Sequence, residues 1–254
     1  MTHHSAVSLV SPDPERDLIH NTGRAIADFG LISAGDRIMV ALSGGKDSYA
    51  LLLLLEALRR RAPVKFELLA VHLDQGQPGH SSEPLRAWLT DNGFAHQIMR
   101  EDTYAIVKEI VPEGRTPCSM CARLRRAILY RFADEFGCTK IALGHHRDDA
   151  VETLLLNLFF AGKLASMPAR LTSDDGTHTV IRPLIYCAEK DLSDFAATRK
   201  VPILPCNLCG SLPNAQRKQM KSLLEKMEVE HPNLRQTMLA ALGNVHMSHL
   251  LVRD

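Results

Sequence analysis

The sequence predicts an α/β fold: a doubly wound parallel sheet with a helix before it and a helical appendage after it. Three observations carry that prediction. Short apolar runs alternate with longer helical stretches, the pattern of βαβ units. The runs are largely apolar, as strands covered on both faces must be. Two strand-to-helix crossings, Ser43-Gly44-Gly45-Lys46-Asp47-Ser48 and Gly144-His145-His146-Arg147-Asp148-Asp149, place glycine and charge at strand ends, where such sheets bind ligands.

From the N-terminus, Leu18, Ile19, Ala25, Ile26 and Phe29 recur at helical spacing from Asp17 to Phe29, and Gly30 is placed to cap them. Arg37 to Leu42 reads as a buried strand, and Tyr49 to Leu58 as a leucine-rich helix. Phe66 to Asp74 is the next strand, Glu83 to Asn92 a helix, and Ala95 to Met99 a weaker strand. Cys118 to Phe136 is a helix, with Thr116-Pro117 as its N-cap and first residue. Lys140 to Gly144 is a strand, and Asp148 to Ala161 a helix apolar on most faces, expected to pack deep. Pro168 to Pro183 is loop-rich, with the turn signal Asp174-Asp175-Gly176. Helices are expected over Ala188 to Lys200, Ala215 to Glu228 and Asn233 to Gly243. Residues 1–210 are read as one nucleotide-binding domain. Residues 211–254 form an extension too short to stand alone.

A length of 254 residues suits one such domain. The chain is 45% hydrophobic and 23% charged, an ordinary balance for a globular protein. Its net charge of +1 gives no global attraction to nucleic acid, so RNA contacts need local basic patches. Met1 to Pro14 has no basic and apolar succession of a secretory leader, and no run reaches membrane-span length. A cytoplasmic protein is expected. Six cysteines in a reducing compartment are metal or catalytic candidates before they are disulfides.

The turn at Ser43–Ser48 aims backbone N–H groups and the positive end of a helix dipole at one spot, which favours phosphate. It is not a Walker A loop: Val40 stands where that pattern needs glycine, and Asp47 where it needs Ser or Thr. A carboxylate beside a phosphate cradle makes sense with a divalent metal between them. In the second crossing, Gly144 permits close approach of a ligand to the backbone. Asp148 and Asp149 suit a helix start as caps, or Asp149 faces the Ser43 loop across a metal or nucleotide. His145 and His146 read as polar rim.

Cys118-Ser119-Met120-Cys121 and Cys206-Asn207-Leu208-Cys209 are two CxxC pairs, too far apart in sequence for a zinc ribbon. The first pair falls on one face of a helix start, whose dipole favours thiolates. Two readings stand: a closed four-cysteine zinc site, or an iron–sulfur cluster. Cys138 and Cys187 have no sequence partners, and Cys138 reads as a small core residue.

Together these pieces resemble one family. The SGGKDS turn is similar to the PP-loop of N-type ATP pyrophosphatases, whose fold is adenine nucleotide alpha hydrolase-like. The GHHRDD-x-x-E-T segment resembles their second motif. The stretches Cys118–Arg131, Ile181–Cys187 and Pro205–Asn214 resemble the tRNA 2-thiocytidine synthetases. That resemblance implies ATP-dependent adenylation of the C2 oxygen of cytidine at position 32 of a tRNA anticodon loop, then replacement by sulfur. It implies a [4Fe-4S] cluster on Cys118, Cys121 and Cys209 with one open iron, Cys206 being a spare. It implies Leu42, Ser43, Gly44, Gly45, Lys46, Asp47, Ser48, His72, Gly144 and Asp149 around ATP, with Asp47 and Asp149 on Mg²⁺ and Lys46 acting on the leaving pyrophosphate. Its expected partners are tRNA, a sulfur-delivering cysteine desulfurase system and a second copy of the chain.

Arg123, Arg125, Arg126, Lys163, Arg170, Arg217, Lys218 and Lys221 are candidates for RNA phosphate contact. Three rival readings remain. One is a tRNA 2-thiouridine synthetase, which would carry further CxxC pairs. Another is a lysidine-forming ligase, which shares the PP-loop but needs no cysteine cluster. The third is a non-catalytic RNA-binding protein with a structural zinc site.

Overall fold

The computed structural model describes residues 14–110, 118–204 and 215–251. Its core is a six-stranded sheet in the order β3-β2-β1-β4-β6-β5. The first helix, α1 (Pro14–Asp28), leads into β1 (Arg37–Leu42), α2 (Lys46–Arg59) and β2 (Glu67–Asp74). Then come α3 (Glu83–Asp91), β3 (His96–Arg100), α4 (Thr103–Ile110), α5 (Cys118–Glu135) and β4 (Lys140–Ala142). The chain continues through α6 (Arg147–Leu156), β5 (Arg170–Thr172), β6 (Thr179–Ile181), α7 (Glu189–Thr198), α8 (Ala215–Glu230) and α9 (Leu234–Leu242).

The strands β3, β2, β1, β4 and β6 pair in parallel, and β5 alone runs antiparallel, on β6. Alternation splits the core in two, because successive side chains leave opposite faces of a strand. Ile38, Val40, Leu42 and Ala70 face a layer shared with α1, α2, α3, α6 and α7. Met39, Leu69, Val71 and Ile141 face Leu129, Phe132 and Ala133 of α5. The sheet is covered on both sides, as a doubly wound fold requires. Leu51, Leu52, Leu54 and Leu55 of α2 are all buried, so that helix is enclosed between the sheet and outer helices. Each such leucine contributes roughly 1.5–3 kcal/mol by leaving water. Met220 and Leu224 of α8 and Leu239 of α9 join the same core.

Three local features go beyond the sequence reading. The loop-rich segment 168–183 also carries two short strands. It forms the hairpin β5–β6 around the Asp174-Asp175-Gly176 turn, with Ser173 N donating to the His178 carbonyl at 2.8 Å. Three-residue strands are too short to display a period in sequence. The helix from 148 does not run regularly to Ala161: it widens to a π-turn over Asn157–Ala161. The extra residue in that turn rotates the neighbouring side chains off the buried face. Leu154 and Leu155 are buried, while Phe159 is 59% and Phe160 48% exposed. Finally, α4 lies where no element was expected.

Candidate active site

The carboxyl ends of β1, β2 and β4 open on a cavity of about 370 Å³. After Leu42 the chain turns at Gly44, whose φ of 82° belongs to the left-handed region. A Cβ there would stand 2.8 Å from Leu204 Cβ, and the Leu204 N–H donates to the Gly44 carbonyl at 2.9 Å. The turn is thus pinned from behind by the chain that leaves α7. Gly45 is the N-cap of α2, and no side chain caps that helix start. Its first-turn N–H groups and dipole favour an anion. Ser43 Oγ accepts from Gly45 N at 3.2 Å and donates to Ser48 Oγ at 3.3 Å. Ser48 Oγ donates to the Gly45 carbonyl at 2.7 Å, which closes the loop on itself.

Lys46 Nζ lies 3.0 Å from both oxygens of Asp47 and 3.3 Å from Glu189 Oε1. Burial opposes its charge, but hydrogen bonds and charge from Asp47 and Glu189 prevail, and the ammonium titrates above the ordinary lysine range. Burial likewise opposes the Glu189 carboxylate, yet Lys221 and Lys46 hold its pKa down to about 2.

The second crossing closes the opposite wall. Gly144 lies just past β4, and a Cβ on it would come within 3.1 Å of the Asp47 carbonyl. His146 caps α6 and is buried, not a rim residue: its Nδ1 accepts from Asp149 N at 3.4 Å. Asp149 returns the bond by accepting from His146 N at 3.2 Å. His146 Nε2 lies 3.4 Å from Asp149 Oδ2 and 4.0 Å from Asp47 Oδ2, so both carboxylates border one imidazole. Asp148 turns away from the cavity. It accepts from Glu189 N at 2.8 Å and sits 3.1 Å from Arg235 Nη1, tying α6 to α7 and α9. Burial pushes the His145 pKa down to about 4. His72 Nδ1 donates to the Leu42 carbonyl at 2.8 Å, and burial lowers its pKa.

Of the residues expected around a nucleotide, Leu42, Ser43, Gly45, Asp47, Ser48, His72, Gly144 and Asp149 line this cavity. Gly44 backs the loop, and Lys46 turns toward Glu189. Cys118 and Cys121 belong to the first turn of α5. Cys206, Cys209, Thr116 and Pro117 lie outside the described residues. The same α5 sends Arg125 and Leu129 into the cavity lining, and Leu204 also borders it. Cys187 is buried in the core beside Thr22, and Cys138 packs against the α5 layer.

Two of the candidate RNA contacts also hold carboxylates beside the cavity. Arg217 Nη1 holds Asp149 at 3.2 Å and Glu152 at 3.1 Å, and Lys221 Nζ holds Glu189 at 2.8 Å. Arg123, Arg125, Arg126, Lys163, Arg170 and Lys218 are exposed. Sequence reasoning missed Glu189 altogether. Its only local signal is an acid in the first turn of a helix, which any solvated cap shows.

Among the described residues no cluster of three or more His, Cys, Asp or Glu could hold a metal unaided. Two carboxylates flanking an anion cradle fit Mg²⁺ only with phosphate completing its shell, the usual way Mg²⁺ is bound.

A PP-loop domain family matches residues 17–204. The tRNA-cytidine(32) 2-sulfurtransferase of Sorangium cellulosum (strain So ce56) is 59% identical over 235 residues, 92% of this chain and 83% of that protein. The protein of that name from Yersinia pestis (strain Pestoides F) is 56% identical over 236 residues, 93% of this chain and 75% of that one. In structure, the U34-tRNA thiolase NcsA from Methanococcus maripaludis, solved with its [4Fe-4S] cluster, superposes with a TM-score of 0.70. That match covers 93% of this chain and 80% of the other at 21% identity, a likeness of fold. The chain belongs to the PP-loop family and, within it, to the tRNA-cytidine(32) 2-sulfurtransferases.

Proposed function

We propose that this protein uses ATP to replace the C2 oxygen of cytidine 32 in a tRNA anticodon loop with sulfur. One observation carries the reading beyond family membership. The Ser43–Ser48 turn, Gly144 and Asp149 converge on a cavity that the cysteine-bearing helix α5 also lines.

The C2 oxygen of a pyrimidine is a poor leaving group. Attack of that oxygen on the α-phosphorus of ATP expels pyrophosphate and turns the oxygen into part of AMP, a good leaving group. Backbone N–H groups of the glycine turn, with the Ser43 and Ser48 hydroxyls, cradle the phosphates. Lys46 offsets charge on the departing pyrophosphate. Asp47 and Asp149 would hold Mg²⁺, which when bound would offset phosphate charge. Leu42, His72 and Gly144 border the nucleoside. Arg125, exposed on α5 and bordering the cavity, supplies positive charge near the entering nucleotide.

Cys118, Cys121 and Cys209 would hold a [4Fe-4S] cluster, which supplies an open iron position for the incoming sulfur. The choice of Cys209 over Cys206 rests on the family resemblance, and two facts of chain position are compatible with cysteines near the cavity. Cys121 precedes Arg125 by one helical turn. Leu204, at the cavity, precedes Cys209 by five residues. Residues 1–210 then form the catalytic unit, and 211–254 an extension whose helices share its core. A cysteine desulfurase as sulfur source, a homodimer and a cytoplasmic setting complete the reading on family resemblance. Among the described residues no helix is long and apolar enough to cross a membrane.

Anaerobic reconstitution with iron and sulfide, then nucleoside analysis of tRNA incubated with ATP and sulfide, tests the reading. Appearance of 2-thiocytidine at position 32 supports it. Tightly held zinc with no acid-labile sulfide and no thiolated nucleoside would sink it and favour the RNA-binding rival.

A further inference from the structure

We infer that the segment 158–165, which projects from the end of α6, is the face through which two copies of this chain associate. This assigns a surface to the homodimer given above on family resemblance, and it stands apart from the proposed chemistry.

The segment is exposed at every position, and four of its eight residues are large and apolar. Leu158 is 41% exposed, Phe159 59%, Phe160 48% and Leu164 57%. The display is built into the backbone. Leu154 and Leu155 of α6 are buried, and a regular helix would carry that face on to Leu158 and Phe159, four residues later. The π-turn over Asn157–Ala161 turns them outward instead. The chain beyond it is pinned in place. Lys163 N donates to the Asn157 carbonyl at 3.0 Å, and Asn157 Nδ2 donates to the Ala165 carbonyl at 2.8 Å. Ser166 Oγ donates to the Ala150 carbonyl at 2.6 Å, back near the start of α6. A protrusion held this way loses little freedom when it is covered, so its apolar area converts well into affinity.

The composition of the segment selects the occupant. An RNA backbone is drawn by several cations, and Lys163 is the one charged residue among these eight. A helix that lies on a membrane likewise carries many basic residues. An apolar centre with few charges is the composition of a homodimer interface. The exposed parts of the two phenylalanines amount to roughly 200 Å², and the two leucines add to that. Such a patch suits the centre of an interface that buries about 800 Å² on each partner. A two-fold axis sets the same patch of both copies against each other, as an isologous contact requires.

Sedimentation velocity of the full chain over a range of concentrations tests this, together with cross-linking from the patch. Wild type is expected to dimerise. Phe159→Ser/Phe160→Ser is expected to raise the dimer Kd about thirtyfold or more, the loss of a single interface hot spot. Both side chains are exposed, so the variant should keep the wild-type Tm. A wild type that stays monomeric, or a dimer that the double substitution leaves intact, overturns the inference. Should the double variant unfold, Phe160→p-benzoylphenylalanine keeps an aromatic ring and decides the matter by light-induced cross-linking in the presence of tRNA. Cross-links to residues 158–165 of a second chain support the inference. Cross-links to tRNA, or to another segment of the same chain, overturn it. A chain that dimerises through this face yet forms no 2-thiocytidine removes the proposed reaction and leaves the interface standing.

Discussion

Gly144 and Asp47 meet backbone to backbone. A Cβ on residue 144 would lie 3.1 Å from the Asp47 carbonyl carbon and oxygen and 3.2 Å from Ser48 N. The end of β4 therefore rests directly on the first turn of α2. Gly144→Ala must push that turn away from the strand. The expected cost is about 1–3 kcal/mol of stability, with weaker ATP binding because the phosphate turn moves. Thermal unfolding and ATP titration of the variant check this, and wild-type values in both would show that the contact yields freely.

Asp47→Ala should abolish thiolation and leave iron and labile sulfide content unchanged. The carboxylate stands at the phosphate turn, and the cysteines belong to other segments. Nucleoside analysis and metal analysis on one preparation read both. Full activity would remove the metal role of this residue.

Among the cysteines, Cys209→Ala should lose the cluster and Cys206→Ala should keep it. The visible absorption of the reconstituted protein and its iron-to-protein ratio separate the two. The reverse pattern would exchange their roles.

His145 makes stability fall in mild acid. Burial holds its folded pKa to about 4, below the value near 6.5 of an exposed imidazole. Between those values the unfolded chain binds a proton that the folded chain refuses. This contribution is therefore complete above about pH 6.5 and is lost as pH falls toward 4. His145→Gln should flatten the dependence of Tm on pH across that window. An unchanged slope in the variant would assign the acid sensitivity to other groups.

Much of the architecture can be read from the chain because it is encoded locally. Arg37–Leu42 and the leucine-rich helix after it announce themselves by length and apolarity, and the glycines between them by the turn they permit. The edge hairpin does not. Arg170–Thr172 and Thr179–Ile181 are three residues each, and only the Asp-Asp-Gly turn between them is visible in sequence. The helix Thr103–Ile110 is short, carries β-branched Thr103, Ile106, Val107 and Ile110, and lacks an acid in its first turn, so no propensity signal marks it.

The phosphate turn, the acids at the second crossing and the paired cysteines were determined by sequence alone, because each is a set of neighbours whose spacing limits its chemistry. Tertiary structure alone decided which charges meet. Glu189 reaches Lys46 across 143 residues, Arg217 reaches Asp149 across 68, and Lys221 reaches Glu189 across 32. A side chain's charge can be read from one letter. Its partner depends on which helices the sheet brings within about 3 Å, and that distance is set by packing.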